Sequence, residues 1–429
     1  MKQPVILEVT IDKLVHGGQG IGTLADGRKA FVWGALPGER VLFEVSKKKK
    51  DWCEGAVCEV LEASKDRIDP REPEIFTATS PWQILDYRKE AEYKQVILAE
   101  SFAREHVDVF WSDFYQDENE FGYRNKMEYN FWFFNETEKV SLALHKRGSH
   151  QKVAIEGSAL ASNAINGAGK ALVEYVNSNG IEARPIKSAV IRSDASGRVG
   201  LSLFVNDANI AERFADFNHP NTIFEIVFSN PKSPASVATE LLKQVSEPLI
   251  DTLLGRDFKY SARSFFQVNI PVYEAALKEI AQAVQESGQT NIVDMYSGVG
   301  SIGLSVVGEN QKLTMVEVSE ESTEQARANM VGRTNCSVIT ATAESALESV
   351  TGDEVVILDP PRAGLHSDVT EKLAEVQPPV IVYLSCNPST QARDVKALVE
   401  AGYKITHARG YNFFPRTPHI ESLMVLKRV

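Results

Sequence analysis

The sequence is poor in cysteine. Cys53, Cys58, Cys336 and Cys386 serve 429 positions, and no two of them form a CxxC pair. So sparse a set cannot staple a chain of this length. Neither a disulfide framework nor a zinc ribbon is expected, and a reducing compartment, the cytoplasm, fits. Long apolar runs are missing as well. No stretch of about 18 uncharged apolar residues occurs, so no membrane span is expected. The opening Met1-Lys2-Gln3-Pro4-Val5-Ile6-Leu7-Glu8 meets a charge before a signal-peptide core could form. Nor is there an excess of positive charge: 46 Lys and Arg face 58 Asp and Glu, a formal net charge of −12. That total speaks against a generic polyanion binder, although a binding face needs only local charge. Hydrophobic residues at 43%, aromatics at 9% and charged residues at 24% exclude wholesale disorder, collagen and coiled coil. No internal repeat or low-complexity tract is present. The length predicts two or three domains of about 100–200 residues each.

Residues 1–50 depart from the acidic total, with nine Lys and Arg against five Asp and Glu, a local net of +4. Apolar alternation predicts strands at Val5-Ile6-Leu7-Glu8-Val9-Thr10, Lys29-Ala30-Phe31-Val32-Trp33 and Arg40-Val41-Leu42-Phe43-Glu44-Val45. Gly17-Gly18-Gln19-Gly20-Ile21-Gly22, Asp26-Gly27 and Pro37-Gly38 read as the turns between them. A fourth run follows at Gly55-Ala56-Val57-Cys58-Glu59-Val60-Leu61. Short strands so spaced predict a small all-β barrel of OB type over residues 1–62. Lys47, Lys48, Lys49 and Lys50 would then form a loop that can touch a phosphate backbone, or simply a solvated hairpin tip. Residues 63–260 read as an α+β domain, with an amphipathic helix over 87–104 and strands near 127–133, 188–192 and 222–228. Over 261–429 continuous apolar strands alternate with helices: 291–295, 313–318, 337–340, 354–359 and 379–385. That pattern predicts a doubly covered, mainly parallel sheet. Ligands of such sheets sit beyond the carboxyl ends of the strands, so each strand-closing residue becomes a candidate.

The first of these strands runs into Gly298-Val299-Gly300-Ser301-Ile302-Gly303, a literal GxGxxG, and Glu317 closes the next strand. Glycines let a backbone approach a nucleotide, and the carboxylate can accept two ribose hydroxyls. Alone, the motif fits NAD, FAD or S-adenosylmethionine equally, or a strand–helix turn without a ligand. The fourth strand ends in Asp359-Pro360-Pro361-Arg362, where two prolines stiffen the exit and hold Asp359 at the sheet edge. The fifth ends in Ser385-Cys386-Asn387-Pro388. Asn387 is a good N-cap and Pro388 suits the first helical position. Cys386 would lie just ahead of a helix N-terminus, whose field favours thiolate. The other three cysteines lack such a setting and read as structural. Glu421 opens an apolar strand after a proline-bracketed turn, and His419 nearby reads as structural. A strand-end thiol with a separate carboxylate suits covalent activation of a ring carbon. Thiolate addition to carbon 6 of uracil makes carbon 5 nucleophilic towards a sulfonium methyl group, and a base must then remove the carbon 5 proton.

At these residues the sequence resembles the TRAM-domain-containing RNA 5-methyluridine methyltransferases over nearly its whole length. His16-Gly17-Gly18-Gln19-Gly20 and Ala35-Leu36-Pro37-Gly38-Glu39 are similar to the TRAM barrel, and Gly122-Tyr123-Arg124-Asn125-Lys126 to a central-domain motif. Phe266-Gln267-Val268-Asn269, Asp359-Pro360-Pro361-Arg362, Ser385-Cys386-Asn387-Pro388 and His419-Ile420-Glu421-Ser422 are similar to catalytic-domain motifs. The resemblance implies a Rossmann-like S-adenosylmethionine-dependent methyltransferase domain after the barrel and central domain. Cys386 is then the nucleophile and Glu421 the base. Gln267, Tyr296, Gly298, Gly300, Ser301, Glu317, Thr342 and Asp359 fall on donor-binding or target-base positions. Phe265 would stack on a flipped uracil. Lys47, Lys48, Lys49, Lys50, Arg124 and Lys126 would contact RNA. Many members carry an iron–sulfur cluster on four central cysteines. The matching stretch here, Ser80-Pro81-Trp82-Gln83-Ile84-Leu85-Asp86-Tyr87, has none, and Ser158 stands at a later ligand position. No metal site and no cluster are therefore expected. The implied partner is structured RNA, ribosomal before transfer RNA, with no DNA or membrane and the chain a monomer. An NAD-dependent oxidoreductase would explain the glycine loop and Glu317 but leave Cys386 unused. A non-catalytic RNA-binding protein would need no thiolate.

Overall fold

The computed structural model describes residues 4–148, 151–234, 236–243 and 247–429. Met1, Lys2 and Gln3 of the opening stretch lie outside them, as do positions 149, 150, 235 and 244–246 of the span 63–260. The chain divides into two compact units. One comprises Met1–Tyr93, Asn119–Leu249 and Pro415–Pro418, and the other Lys94–Glu118, Ile250–Phe414 and His419–Val429.

The first unit opens with a closed barrel of β1 (Ile6–Leu14), β2 (Gly20–Thr23), β3 (Lys29–Trp33), β4 (Arg40–Lys48) and β5 (Trp52–Glu62), in the order β1-β2-β3-β5-β4. Residues two apart face inwards: Val9 with Ile11, Ala30 with Val32, and Val41 with Phe43 all enter one core, as the alternation of a strand requires. One barrel strand escapes the sequence reading. Gly20 and Gly22, read as turn residues, lie in β2. A side chain at Gly22 would stand 2.1 Å from the carbonyl oxygen of Thr10. The glycine is there for close strand approach and not for a turn. Glu39 is fully buried. Its carboxylate accepts from Leu36 N at 2.8 Å and from Arg67 Nε at 2.5 Å, fixing the turn before β4.

Two helices, α1 (Phe76–Thr79) and α2 (Tyr87–Arg104), follow the barrel. A seven-stranded mixed sheet is then built from β6 (Lys126–Phe134), β7 (Lys139–His145), β8 (Lys152–Ile155), β9 (Ile186–Ser193), β10 (Val199–Val205), β11 (Thr222–Phe228) and β12 (Glu240–Lys243). Its order is β12-β11-β10-β9-β6-β7-β8. Helix α3 (Asn163–Ser178), capped by Ser162, packs Ile165, Ala168, Leu172 and Val176 into the sheet's core. Their spacing of three and four is that of one helix face. In the cysteine-free stretch, Glu72 and Gln83 form a two-way clasp: Gln83 Nε2 donates to Glu72 Oε2 at 2.7 Å, and Glu72 N to Gln83 Oε1 at 2.9 Å. Ala159 N donates to the other Glu72 oxygen at 2.9 Å. Among the described residues, no group of three or more His, Cys, Asp and Glu could hold a metal ion, and no helix is long and apolar enough to cross a membrane.

A ribbon of β13 (Leu249–Leu253) and β14 (Arg256–Tyr260) precedes the second sheet. That sheet alternates with helices: α4 (Ile270–Ser287), β15 (Asn291–Met295), α5 (Ser301–Val306), β16 (Lys312–Glu317), α6 (Glu320–Asn329), β17 (Cys336–Thr340), β18 (Val355–Leu358), α7 (Ser367–Val376), β19 (Val380–Ser385), α8 (Pro388–Glu400), β20 (Tyr403–Tyr411) and β21 (Glu421–Arg428). The order β17-β16-β15-β18-β19-β21-β20 sets β15, the first of these strands in the chain, inside the sheet between β16 and β18. β15 to β19 are parallel. β21 inserts between β19 and β20, antiparallel to both. β18 and β19 are buried at every position, which explains their unbroken apolar sequences. The architecture is thus the multi-domain α/β arrangement expected, with a barrel first and a Rossmann-like sheet last.

Candidate active site

A cavity of about 770 Å³ lies along one edge of the second sheet. It falls within the range of about 300–1,000 Å³ typical of small-molecule sites. Its lining residues all belong to the second unit. Topology explains why they meet. Tyr296, Glu317, Thr342, Asp359 and Cys386 sit at or just beyond the carboxyl ends of β15, β16, β17, β18 and β19. Glu421 opens β21, which runs the other way, and the pair Ser385–Ser422 registers its start against the end of β19. An antiparallel neighbour brings a residue 35 positions downstream to the edge that carries Cys386.

The loop after β15 is held in shape by its own backbone. Tyr296 adopts φ 63° and Gly298 φ 56°. The left-handed region costs a residue with a Cβ of order 1 kcal/mol, and such positions gather at functional sites. Glu317 accepts from Gly298 N at 3.0 Å and from Ser319 N at 2.8 Å, one bond per carboxylate oxygen. Each oxygen keeps a lone pair free for a hydroxyl donor. Behind the loop, Asp294 accepts from Gly303 N at 2.8 Å, while its Oδ1 is buried without a partner. Burial above all, with Asp359 and Glu317 adding to it, pushes the Asp294 carboxyl up to about 8.

The loops after β18 and β19 are tied together. Asn387 caps α8 by accepting from Ser389 N, and its Nδ2 donates to the Arg362 carbonyl at 2.8 Å. Thr390 Oγ1 donates to the same carbonyl at 3.3 Å. The Asp359 and Cys386 segments therefore move as one piece. Cys386 does lie just ahead of α8, but the helix does not decide its charge. Burial first, then the charges of Glu421 and Asp359, push the thiol up to about 12, with Arg362 pulling the other way. Burial and then Asp359 hold Glu421 well above the usual carboxylate range. Burial pushes Asp359 up to about 7. With nothing bound, burial favours the uncharged forms of the Cys386 thiol and the Glu421 carboxyl. The helix N-terminus expected to favour thiolate is outweighed by lost hydration and two nearby acids.

Of the candidates, Phe265, Gln267, Tyr296, Gly298, Glu317, Thr342, Asp359, Cys386 and Glu421 line this one cavity. Phe265 is 64% exposed, whereas Phe266 beside it is buried and stacks on Tyr260 at 4.3 Å. Gly300 and Ser301 are not among the lining residues. A Cβ at Gly300 would meet Leu304 Cδ1 and Met315 Sδ at 2.8 Å, so this glycine serves helix–strand packing. Ser301 Oγ is engaged by the Tyr273 hydroxyl at 2.9 Å. Lys47, Lys48, Lys49 and Lys50 are exposed around the β4–β5 turn, and Lys47 Nζ lies 5.2 Å from the Trp52 ring centre. Arg124 donates to the Lys126 carbonyl at 2.9 Å, and Lys126 is half-buried. These six belong to the first unit and do not line the cavity.

The sequence reading passed over Arg263, Glu344, Arg362, Phe414 and His419, all of which line the cavity. His419 had the clearest signal. It stands two positions before Glu421 with buried Ile420 between them, and in extended chain residues two apart share a face.

A family model described as tRNA (uracil-5-)-methyltransferase matches residues 243–429. An uncharacterized RNA methyltransferase of Clostridium tetani is 30% identical over 446 residues, covering 98% of this chain and 97% of its own. One from Thermotoga maritima is 28% identical over 98% of both chains. Among solved structures, the Pyrococcus abyssi tRNA (uracil-54, C5)-methyltransferase in complex with S-adenosyl-L-homocysteine has the same fold. Its TM-score is 0.77 at 24% identity, covering 98% of this chain and 100% of that one. With an edge cavity holding a thiol and a buried acid, and with likeness along its whole length, this chain belongs to the RNA methyltransferase family that carries the tRNA (uracil-5-)-methyltransferase module.

Proposed function

We propose that the protein methylates carbon 5 of a uridine in structured RNA, using S-adenosylmethionine. The observation that carries this reading is a single cavity lined by Cys386, Glu421, Asp359 and Glu317. The residues fit the methyl donor: Glu317 offers free lone pairs to ribose hydroxyls, Val316 and Val318 an apolar wall, and Asp359 a carboxylate for a cation. When bound, S-adenosylmethionine supplies an electrophilic methyl group on a positively charged sulfur. Phe265 stacks on the target uracil, which must leave its helix to enter. Cys386 gives its thiol proton to water and adds to carbon 6 as the thiolate, forming an S–C bond and making carbon 5 enolate-like. Once carbon 5 carries the methyl group, Glu421, its own proton by then lost to water, takes the carbon 5 proton; the electrons of that C–H bond restore the ring double bond, the S–C6 bond breaks and the thiolate returns.

In this reading residues 1–62 form an RNA-binding barrel, 63–260 a central domain and 261–429 the catalytic domain. The reading places the protein in the cytoplasm as a monomer. Barrel and length favour large-subunit ribosomal RNA as the target. Transfer RNA is the second reading, favoured by whole-length likeness to the Pyrococcus abyssi enzyme. Mapping 5-methyluridine in both RNAs from a deletion strain decides between them, and no lost methyl group in either would refute the function.

Two expectations follow from charge. The carboxyl of Asp359 ionises near 7 in the free cavity, and only its ionised form attracts a sulfonium. Affinity for S-adenosylmethionine should therefore rise from about pH 6 to about pH 8, by up to roughly tenfold per unit below 7, and then level off. S-adenosylhomocysteine, whose sulfur carries no charge, should give a flat profile. Calorimetric titration of both ligands across that range checks this, and parallel curves would dissociate Asp359 from the effect. RNA binding should weaken as salt rises. Changing all four lysines from Lys47 to Lys50 to Ser should lower the slope of log affinity against log salt by up to about four. An unaltered slope would make the run a bland surface.

A further inference from the structure

Away from the cavity, β6 ends in a feature that the proposed chemistry does not use. Its pairing with β9 stops at Asn130–Ser188, while β6 itself runs on to Phe134. Beyond that point Trp132 and Phe133 are 49% and 48% exposed, two large rings on opposite faces of the strand, each left half in water. A notch of about 430 Å³ opens on one side, between the end of β6 and residues 183–187. A second hollow, of about 480 Å³, shares Trp132, Phe133 and Lys152 with it. Lys152 Nζ stands 3.6 Å from the Trp132 ring centre. Arg184 is exposed at the rim and has no ion-pair partner among the described residues. Lys187 gives its ammonium to Ser229 Oγ and to the carbonyls of Asn230 and Ser233, so it lends the notch charge and not donors. Across the two hollows three cations face one carboxylate, Glu136. On a chain of net charge −12, this is a locally cationic patch around exposed rings.

Half-exposed aromatic rings forgo burial, and a bare protein gains nothing by leaving them at the rim of a notch. Stacking platforms beside cations are how proteins hold unpaired nucleotides: a ring takes the base and the cations take the phosphate. We propose that the Trp132–Phe133 notch is a second RNA site, which binds an unpaired nucleotide of the substrate outside the catalytic cavity. It takes the base on one exposed ring and the phosphate on Arg184, with Lys152 beside the Trp132 ring adding charge. The inference rests on the RNA reading above, and charge complementarity selects nucleic acid over an apolar polypeptide as the occupant.

The test uses the full chain with a fluorescein-labelled single-stranded dodecauridine, and the same strand annealed to oligoadenosine. The variant W132A/F133A should bind the single strand about tenfold more weakly, the loss expected from one stacked base. The ring-keeping variant W132F/F133Y should bind like the wild type, which separates stacking from misfolding. A 4-thiouridine dodecamer, irradiated on the wild-type protein, should crosslink to the peptide containing residues 130–134. Equal affinity of W132A/F133A and wild type, or crosslinks confined to the barrel and the cavity, would overturn this inference alone. A wild-type chain that binds neither form of RNA would overturn it together with the proposed function.

Discussion

Replacing Cys386 with alanine should abolish methyl transfer, by roughly 10⁴-fold or more, the scale on which enzymes lose a covalent nucleophile. Without the thiol, carbon 5 of uracil stays too weakly nucleophilic to take a methyl group, and no second cysteine is among the residues lining the cavity. The change removes one half-buried sulfur at the end of β19. Fold and methyl-donor binding should therefore survive. Transfer of tritium from labelled methyl donor to RNA measures the loss, and calorimetry on the same sample measures binding. Methylation at the wild-type rate would remove Cys386 as nucleophile. Lost donor binding would mean that the variant had damaged the pocket instead.

Glu421→Gln should behave differently. Turnover should fall by about 10²–10⁴, the usual contribution of a positioned base, but addition to the ring should continue. Burial favours the uncharged form of Glu421 in the free cavity, and an amide is uncharged too. The substitution therefore leaves Cys386 able to add to the ring. Attack proceeds, the carbon 5 proton has no acceptor, and the S–C6 bond cannot break. A protein–RNA species that survives denaturing electrophoresis is expected, and it should disappear when Cys386→Ala is added. A Glu421→Gln protein that turns over normally, or that never accumulates the adduct, would remove Glu421 from the releasing step.

The sequence exposed this site because parallel strands announce themselves. Unbroken apolar runs ending in Glu317, Asp359 and Cys386 already say that three polar side chains share one sheet edge. What could not be read was the state of those groups. The local rule, a thiol before a helix N-terminus, points to thiolate. Burial and two acids brought in by tertiary structure reverse it, and neither is visible within a few residues of Cys386. Gly300 and Ser301 failed for a related reason. The motif describes a tight turn, and whether each residue faces ligand or core depends on what packs behind. Here Met315, Leu304 and Tyr273 lie there. Strand β2 was hidden because glycines that admit a neighbouring backbone and glycines that reverse the chain look alike in sequence. The central sheet was legible only in its strongest strands. Its edges, β8 and β12, are four residues each, too short to show a period.

The place of β21 in the sheet bears on how the protein comes to life during synthesis. Among the named strands β20 pairs with β21 alone, its other edge taking Ser112 N and Tyr115 N, so it joins the sheet only through β21. A nascent chain released short of Glu421 would lose two strands, not one. Under the proposed mechanism it would also keep Cys386 without Glu421, and any uridine it bound would stay attached. The proposed base thus stands on the strand that joins the two halves of this sheet edge.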